Sequence, residues 1–308
     1  MALLEVTKVD MRYYGSSFAL HDVNLSLDNG ERLVIYGREN SGKTTLLRVL
    51  CGLEEYDQGN ILLGGAELNE LSQKQMDIGF SFDSRILDSK ASASDLISYP
   101  MKLRGMRQED IDCYLESVTS KCNISMQAKV KDLSETQIAM LILARLFAVE
   151  RRLYLIDDVW KDLSQEEKGV VTKYLMENIR GKSAIVATDD SSLASEISTD
   201  KIVVVTDKQV LPMLSLEEIT RRPLNIQSAI FAGYELHIGQ LAKTDDGYFA
   251  DLYGNQYPVS KPIGDVYVGK RVCFAIKRSG EPCESQEVGN GEVMSFYYDV
   301  DVERIITL

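Results

Sequence analysis

The sequence is short of basic residues, and this shortage limits the partners that its surface can bind. Its 308 residues carry 34 Lys and Arg against 47 Asp and Glu, which gives a net charge of −13. Lys and Arg do not form clustered runs, whereas a nucleic-acid-binding surface needs clustered positive charge against the phosphate backbone. We therefore expect no nucleic-acid partner, and we interpret the excess of acid as a feature that favours solubility.

Paired cysteines and long apolar stretches are also missing. The five cysteines, an odd number, lack the spacing of a zinc site or a redox motif, which predicts reduced thiols: Cys51, Cys113, Cys122, Cys273 and Cys283. No uninterrupted apolar stretch approaches the roughly 18–20 residues of a membrane span. The opening MALLEVTKVD has no basic region followed by an apolar core, so we expect no secretion signal. Any membrane role is therefore expected to come through a partner.

Residues 32–53, RLVIYGRENSGKTTLLRVLCGL, place a glycine-rich loop between an apolar strand and an apolar-periodic helix. The loop has the G-x-x-x-x-G-K-[ST] pattern, whose glycines let backbone N–H groups form an anion nest at a helix N-terminus. We predict that Lys43 reaches the β- and γ-phosphates and that the Thr44 hydroxyl ligates Mg²⁺. The predicted nucleotide-binding residues are Gly37, Arg38, Glu39, Asn40, Ser41, Gly42, Lys43, Thr44 and Thr45. The sequence thus predicts a site for a nucleoside triphosphate with Mg²⁺.

Residues 153–160, LYLIDDVW, form an apolar run that ends in two adjacent carboxylates, Asp157 and Asp158. One interpretation is a strand that leaves the core and enters a polar turn. The phosphate loop favours another, because in such proteins a neighbouring parallel strand ends in an Asp that holds the magnesium, usually through water. We predict Asp157 for that role, and Asp158 is then placed to meet the attacking water.

With this phosphate loop followed by this strand, the sequence resembles the ATP-binding subunits of ABC transporters, most closely those of maltose and multiple-sugar importers. Residues 13–31 resemble the opening hairpin of that family, with Tyr14 at the aromatic position that stacks on adenine. The alternative for Tyr14 is a half-buried strand aromatic. Residues 132–146 stand in the place of the signature motif and its helix. Residues 157–164 correspond to the end of the Walker B strand and the D-loop, and residues 184–190 correspond to the switch-histidine loop.

The resemblance also shows where the sequence departs from the family. The family's catalytic Glu is Asp158 here, its switch His is Asp189, its Q-loop Gln is Asp83, its D-loop Asp is Ser164, and its two signature glycines are Glu135 and Thr136. The only histidines, His21 and His237, lie away from these segments. The resemblance therefore implies an intact nucleotide-binding half beside altered catalytic positions.

Each substitution has a physical consequence for hydrolysis. Asp158 is one methylene shorter than Glu, and misplacement on the order of 1 Å can cost about 10²-fold in a positioned reaction. Asp189 would bring an anion towards the γ-phosphate, where repulsion replaces the hydrogen bond of an imidazole. At Asp83 a carboxylate oxygen can replace an amide oxygen as a Mg²⁺ ligand. We expect hydrolysis at this chain's own site to be impaired.

The signature segment, DLSETQIAMLILARL, has two interpretations. In the family, two subunits dimerise head to tail, and the signature Ser, here Ser134, contacts the nucleotide of the partner. Alternatively, Ser134 and Gln137 form a capping box that opens an apolar helix. Glu135 in that first turn suits the helix dipole but opposes an arriving phosphate. We therefore predict a weak clamp and a mainly structural helix.

The remaining segments suggest two domains. Residues 1–222 are predicted to form an α/β phosphate-loop NTPase domain of the ABC type, with a helical subdomain inserted at about 84–132 and N-cap candidates at Ser94 and residues 108–110. In residues 223–308, short alternating strands and the hairpin signal Asp246-Gly247 predict a small antiparallel β-barrel, similar to the OB-like (TOBE) domain of sugar-importer ATPases.

Together these features predict a cytoplasmic ATP-binding subunit of an ABC importer, peripheral on the membrane through its permease subunits. The leading hypothesis makes it the hydrolysis-impaired member of a pair with a second ABC ATPase. The first alternative is a slow homodimeric transport ATPase that uses Asp158 as a weakened base. The second is an ATP-sensing regulatory protein that acts without a transporter. A sugar substrate is implied only by the resemblance.

Overall fold

The computed structural model describes residues 2–13, 19–81, 87–197, 201–206, 209–221, 226–252, 254–259, 268–269, 271–276, 293–299 and 304–306. The chain divides into two compact units, Met1–Met213 and Leu214–Leu308. The domain boundary at 222 and the extent of the helical subdomain stay predictions.

The first unit alternates strands and helices. Its strands are β1 (Leu4–Arg12), β2 (Ala19–Leu27), β3 (Arg32–Tyr36), β4 (Gln58–Leu63), β5 (Ala66–Glu67), β6 (Ile78–Phe80), β7 (Leu153–Asp157), β8 (Ala184–Thr188), β9 (Lys201–Thr206) and β10 (Gln209–Val210). Its helices are α1 (Lys43–Leu50), α2 (Gln73–Met76), α3 (Ala93–Leu103), α4 (Gln108–Cys122), α5 (Glu135–Phe147), α6 (Gln165–Ile179) and α7 (Ser191–Ile197).

These strands form one ten-stranded sheet with the order β5-β4-β1-β2-β10-β9-β3-β8-β7-β6. The half from β9 to β6 is parallel, while β1 pairs antiparallel with β2 and β4, and β4 with β5. The short strand β10 joins the halves, since it pairs parallel with β2 and antiparallel with β9. The parallel half carries the predicted site.

The parallel strands are buried on both faces, and their carboxyl ends lie at one edge of the sheet. Leu33, Val34 and Ile35 of β3 are all fully buried, as expected for a strand covered on both sides. Tyr36 at the end of β3 pairs with Thr188, and Ala187 next to it pairs with Asp157 at the end of β7. Because β8 lies between β3 and β7, the phosphate loop and Asp157 leave the sheet about 10 Å apart.

Helix α1 is held by its apolar face. Leu46, Leu47, Val49 and Leu50 are fully buried, and the helix packs against β7 and β8. Burial of each such side chain stabilises the fold by about 1.5–3 kcal/mol relative to exposure. The packing therefore fixes the helix N-terminus next to the strand tips.

The predicted helical segment contains α3 and α4, but the predicted N-cap at Ser94 is wrong. Helix α3 begins earlier, with Ser92 as its N-cap, and the Asp95 N–H donates to the Ser92 Oγ at 3.1 Å. Asp95 lies three residues after Ser92, which is the capping spacing that Ser94 lacks. The N-cap predicted within residues 108–110 is also wrong, because the N-cap of α4 is Arg107 and residues 108–110 form the first turn.

The second unit contains two short helices and an antiparallel sheet. The helices are α8 (Leu216–Arg221) and α9 (Ile226–Phe231), and the strands are β11 (Glu235–Thr244), β12 (Gly247–Leu252), β13 (Asn255–Pro258), β14 (Arg271–Ile276), β15 (Val293–Asp299) and β16 (Arg304–Ile306). The sheet order is β13-β12-β11-β14-β15-β16.

The hairpin predicted at Asp246-Gly247 is present. Thr244 pairs with Gly247, so the two-residue loop consists of Asp245 and Asp246, and Gly247 begins the next strand with a φ of 129°. The barrel predicted for this unit stays a prediction. Within the described part of the chain, no helix is both long enough and apolar enough to cross a membrane.

Candidate functional site: a phosphate loop beside two strand tips

Two glycines shape the loop between β3 and α1. A Cβ added to Gly37 would stand 2.3 Å from the Val205 carbonyl oxygen and 2.6 Å from the Ser41 Oγ, so no larger residue fits there. Gly42 is the N-cap of α1 and has a φ of 114°, in the left-handed region that favours glycine. Both glycines of the sequence pattern are therefore required by the backbone.

Lys43 lies over this loop. Its side chain is buried, and its Nζ donates to the carbonyl oxygens of Gly37 at 2.7 Å and Arg38 at 2.9 Å. An ammonium has three N–H donors, and within the described residues these two carbonyls are its hydrogen-bond acceptors. One donor thus remains for an anion held by the loop.

The rest of the loop leaves a second polar group for such an anion. The Ser41 Oγ is buried and has no hydrogen-bond partner within the described part of the chain. Buried hydroxyls are nearly always paired, so the loop lacks a polar partner that a phosphate oxygen would supply. Asn40, with a φ of 61°, occupies a left-handed position that Asn tolerates. Arg38, Glu39 and Thr44 are exposed, and Thr45 is partly buried.

Asp157 ends β7 at the same edge of the sheet. Its backbone N–H donates to the Ser81 Oγ at 2.7 Å, and the Ser81 N–H in turn donates to the Leu155 carbonyl oxygen. Ser81 is buried, so this pair of bonds fixes where the strand ends. Sequence reasoning missed Ser81, whose only signal is its position directly after the short strand β6.

The oxygen donors at this edge suit Mg²⁺. The exposed Thr44 hydroxyl and the partly buried Asp157 carboxylate are hard ligands of the kind that this ion prefers. Among the described residues, no group of three or more His, Cys, Asp or Glu could hold a metal ion by itself. A magnesium ion here would therefore take its other ligands from water and from the nucleotide, whose charge it would partly neutralise.

Asp158 lies just beyond the strand in an unusual backbone conformation. Its φ is 36°, and its N–H donates to the Ala187 carbonyl oxygen at 3.0 Å. Burial raises the pKa of its carboxyl to about 6, and the charges of Asp189 and Asp157 act in the same direction against Lys43 and Lys168. Asp158 is therefore a carboxyl that titrates close to neutral pH.

Asp189 and Asp190, at the end of β8, differ sharply from each other. Asp189 is exposed and makes no hydrogen bond or ion pair within the described residues. Asp190 accepts from the Lys168 Nζ at 2.8 Å and from the N–H groups of Ser192 and Leu193. Burial alone would raise the pKa of Asp190, but Lys168 and these N–H groups hold it below its usual value. Asp190 is thus the helix-capping residue of the pair.

A polar cavity of about 260 Å³ lies at this edge. It is lined by Glu39, Asp158, Trp160, Lys161, Asp162, Leu163, Lys168, Thr188, Asp189 and Asp190. The Lys161 Nζ contacts the Glu39 Oε1 at 2.8 Å, which ties the segment after β7 to the phosphate loop. Sequence reasoning missed both ion pairs of this cavity, because their members are far apart along the chain.

The signature segment is a capped helix. The Ser134 Oγ accepts from the Gln137 N–H, and the Gln137 side chain accepts from the Ser134 N–H, so the predicted capping box is confirmed. The Thr136 hydroxyl donates to Glu167 at 2.6 Å, and Glu167 also caps α6 together with Ser164. The hydrogen bond from Thr136, followed by those from Ser164, lowers the pKa of Glu167 to about 2. The clamp role of Ser134 stays a prediction.

Comparison with known families decides what this arrangement is. Residues 20–161, which contain the phosphate loop, Asp157 and Asp158, match the family described as ABC transporter. The chain contains an ABC transporter ATP-binding domain. The resemblance to the ABC transporter family found in the sequence is confirmed, whereas its narrower part, to maltose and multiple-sugar importers, stays a prediction.

Curated proteins with similar sequences are import ATP-binding proteins by name. The sulfate/thiosulfate import ATP-binding protein CysA of Bacillus cereus is 28% identical over 220 residues, or 69% of this chain and 61% of that protein. The molybdate/tungstate import ATP-binding protein WtpC of Thermococcus kodakarensis is 26% identical, over 73% of this chain and 69% of that protein. The sn-glycerol-3-phosphate import ATP-binding protein UgpC of Paraburkholderia xenovorans is 24% identical, over 88% and 76%. The chain therefore spans less than two thirds of the first of these relatives.

Solved structures share the fold of the ABC domain. The ATP-binding cassette MJ0796, in a dimeric post-hydrolysis state bound to ADP and Pi, superposes with a TM-score of 0.61 at 21% identity, over 69% of this chain and 98% of that one. An ATP-binding subunit of an ABC transporter gives 0.62 at 19% identity, over 71% and 92%. At these identities the likeness shows the fold alone, and it confirms the predicted phosphate-loop α/β fold.

The structure of the ABC domain brings most predicted site residues to one edge. The phosphate loop, Asp157, Asp158 and Asp189 all lie at the carboxyl ends of β3, β7 and β8. Ser134 instead begins α5 and is engaged in its own capping box. The adenine-stacking prediction for Tyr14 and the Mg²⁺-ligand prediction for Asp83 lie outside the described residues.

Proposed function

We propose that the chain is the ATP-binding subunit of an ABC importer and the hydrolysis-impaired member of a heterodimeric ATPase pair. The observation that carries the proposal is the contrast at one sheet edge. The phosphate loop keeps its glycines and a buried lysine, whereas Asp158 and Asp189 stand where the family uses Glu and His. The import function is supported by the names of the relatives, all of which are import ATP-binding proteins.

Nucleotide binding as Mg-ATP is supported by the polar groups of the loop. Lys43 offers a third N–H, Ser41 has a buried hydroxyl without a partner in the described chain, and α1 adds its N-terminal N–H groups. Thr44 and Asp157 would hold the metal. In this arrangement Mg²⁺ would supply positive charge between the phosphates, while the chain's own groups bind and orient them.

Hydrolysis is proposed to be slow because neither Asp158 nor Asp189 is well suited to activate the water. Asp158 carries a carboxylate that is one methylene shorter than that of the family's Glu. Asp189 cannot donate a hydrogen bond to a phosphate while it is ionised. Misplacement of a base on the order of 1 Å costs about 10²-fold in rate. A second ATPase chain would then supply the effective catalytic site.

The experiment that tests this proposal is purification of the native membrane complex, followed by counting of its distinct ATPase chains by mass spectrometry. We expect one copy of this chain, one different ABC ATPase and the permease subunits. A complex with two copies of this chain and no other ATPase contradicts the heterodimer. A chain that never co-purifies with a membrane protein instead favours the ATP-sensing regulator.

An apolar groove in the first unit supports docking of permease subunits. A cavity of about 300 Å³ lies between the sheet and the helices α3 and α5, and its lining includes Leu53, Phe80, Leu96 and Leu141. Leu53 is 45% exposed in this apolar groove, and contiguous apolar grooves of this kind mark interaction sites. We expect Leu53→Asp to abolish co-purification with the permease. As the matched control, Val170→Asp on α6, whose apolar side chain is 52% exposed, should leave the complex intact.

The slow homodimeric ATPase stays a second candidate because of one observation. A carboxyl with a pKa of about 6 is closer to the optimum for a general base near pH 7 than an ordinary aspartate. If the purified chain hydrolyses ATP slowly, and Asp158→Asn abolishes that activity without loss of binding, Asp158 is the base. Crosslinks only between copies of this chain in a functional complex would also favour the homodimer.

For residues 223–308 we propose an OB-like (TOBE) barrel that contributes to dimer contact or regulation. The antiparallel sheet from β11 to β16 and the tight hairpin at Asp245 and Asp246 support it. The transported substrate is proposed from the family resemblance to be a sugar, although the relatives are named for sulfate, molybdate and glycerol phosphate. Growth of a deletion strain that depends on uptake of one of these solutes at a time distinguishes a sugar from sulfate, molybdate and glycerol phosphate as the transported substrate.

A further inference from the structure

The polar cavity beside the phosphate loop carries an excess of negative charge. Its lining contains five carboxylates, on Glu39, Asp158, Asp162, Asp189 and Asp190, but only two ammonium groups. One of these carboxylates, Glu39, belongs to the phosphate loop itself. A site that binds a nucleoside triphosphate usually presents positive charge to the phosphates. An excess of negative charge here should therefore affect which nucleotide the site binds more tightly.

Each of the two lysines of the cavity forms an ion pair with an acid of the lining. Lys168 contacts Asp190 at 2.8 Å, and Lys161 contacts Glu39 at the same distance. The Lys161 hydrogen bond lowers the pKa of Glu39, so this carboxylate is ionised at neutral pH. Both Lys161 and Glu39 are more than half exposed, and their pairing is therefore weaker than that of Lys168 and Asp190. Asp158 and Asp189 add further negative charge that these pairs do not compensate.

A third phosphate would lie next to these groups. In a phosphate loop the backbone N–H groups hold the α- and β-phosphates, and the lysine spans the β- and γ-phosphates. Glu39 lies in the same loop four residues before Lys43, and both Glu39 and Asp158 line the cavity. The γ-phosphate, beyond Lys43, therefore enters the space that Glu39 and Asp158 border.

Resting on the proposed nucleotide binding at the phosphate loop, we propose that this chain holds nucleoside diphosphate more tightly than triphosphate, with Glu39 as the residue that sets the difference and Lys161 as its counter-ion. The diphosphate ends at the loop N–H groups and Lys43, whereas the extra phosphate of a triphosphate adds negative charge beside the carboxylates. A like charge a few ångströms away near a protein surface changes a binding constant on the order of tenfold.

The test is isothermal titration calorimetry of the full chain with ADP and with ATP in the presence of EDTA, so that metal does not screen the phosphates. We expect Kd for ATP to exceed Kd for ADP by about tenfold. Glu39→Gln should reduce this ratio several-fold, and Asp189→Asn should reduce it less. Lys161→Met should raise the ratio, and it should do so more strongly in the wild-type background than together with Glu39→Gln.

The matched control is Glu177→Gln, which removes the same charge from an exposed position on α6 nine residues beyond Lys168. It should leave the ratio unchanged, and thermal melts should show that every variant is folded. A ratio of one or less, or a ratio that Glu39→Gln does not move, overturns the proposal while the proposed nucleotide binding stands. Equal effects of Lys161→Met in both backgrounds overturn the role of Lys161. If neither nucleotide binds, the proposed function fails as well.

Discussion

The phosphate loop and the strand tips beside it differ in whether backbone groups or side chains form the site. The loop works mainly through its backbone, whose N–H groups are arranged by Gly37 and Gly42, and through one lysine held by two carbonyls. The strand tips work through side chains, and there the expected Glu and His are Asp158 and Asp189. The loop has kept its geometry, while the tips have kept only their position at the sheet edge.

This difference supports the proposal that the chain binds nucleotide without efficient hydrolysis. The strand tips remain well formed, because Ser81 fixes the end of β7 and Asp190 caps α7. Neither contact depends on the residues that would activate water. Under the proposed function, Asp158 and Asp189 therefore weaken hydrolysis without removing the fold that positions the nucleotide.

Loss of the loop lysine should give the largest effect. Lys43→Ala removes a charged donor to the phosphates and leaves the carbonyls of Gly37 and Arg38 without their partner. Charge-assisted hydrogen bonds contribute about 1.5–3 kcal/mol each, so we expect nucleotide affinity to fall on the order of 10²-fold. Titration calorimetry measures it. Lys173→Ala, an exposed lysine on α6, is the control, and equal affinities of the two variants would break the contrast between loop and tips.

Removal of the charge of Asp158 should stabilise the fold at neutral pH. Because the folded state raises the pKa from 3.8 to about 6, the ionised carboxylate destabilises the protein above pH 6, and the penalty disappears as the pH falls towards 4. The interval corresponds to at most about 3 kcal/mol. Asp158→Asn should therefore melt at a higher temperature than wild type at pH 8 but not at pH 4.

The control for this pH dependence is Asp245→Asn in the exposed hairpin loop, which should change stability little at either pH. If Asp158→Asn destabilises the protein at pH 8, the carboxylate is held by favourable contacts and the strand tip is not a strained catalytic position. In that case the strand tip, like the phosphate loop, would be stabilised by the contacts of its functional residue.

Restoration of the family residues should raise hydrolysis more modestly. Asp158→Glu combined with Asp189→His lengthens the base and replaces an anion by a hydrogen-bond donor, so we expect phosphate release to increase by about tenfold or more. Single-turnover assays with radiolabelled ATP measure it, with Lys43→Ala in the same background as the blank. An unchanged rate would place the defect elsewhere, for example in the signature segment.

The smallest effects are expected from the helix caps. Ser134→Ala and Ser164→Ala each remove one side of a capping box and should cost about 1 kcal/mol of stability, which urea unfolding measures. Neither change should alter nucleotide binding by the isolated chain. If Ser134→Ala lowers the ATPase rate of the assembled complex while stability is unchanged, Ser134 acts as a clamp on the partner's nucleotide.

What the sequence could reveal depended on how far apart the interacting residues lie. The phosphate loop, the strand that ends at Asp157 and the capping box of Ser134 are each encoded within a few residues, and all three were predictable. The Glu39–Lys161 pair spans 122 residues and the Thr136–Glu167 hydrogen bond spans 31, so their existence depends on tertiary packing. No local pattern encodes such contacts.

Adjacent residues also took roles that the sequence alone did not separate. The sequence pointed to Asp189 as the residue at the switch-histidine position. Its neighbour Asp190 is the residue that forms the ion pair with Lys168 and caps α7. The position of Asp190 directly before a helix was a signal for a cap that could have been used. Likewise, Ser92 rather than Ser94 begins α3, because the acid that completes the cap lies three residues after Ser92.

The central claim is that this chain binds nucleotide without turning it over efficiently. The most direct test measures bound nucleotide and released phosphate in one sample of the purified chain with Mg-ATP. The account predicts about one bound nucleotide per chain, lost in Lys43→Ala, with little phosphate released over many minutes. Release at the order of 1–10 per second typical of enzymes, abolished by Asp158→Asn while nucleotide stays bound, would contradict it.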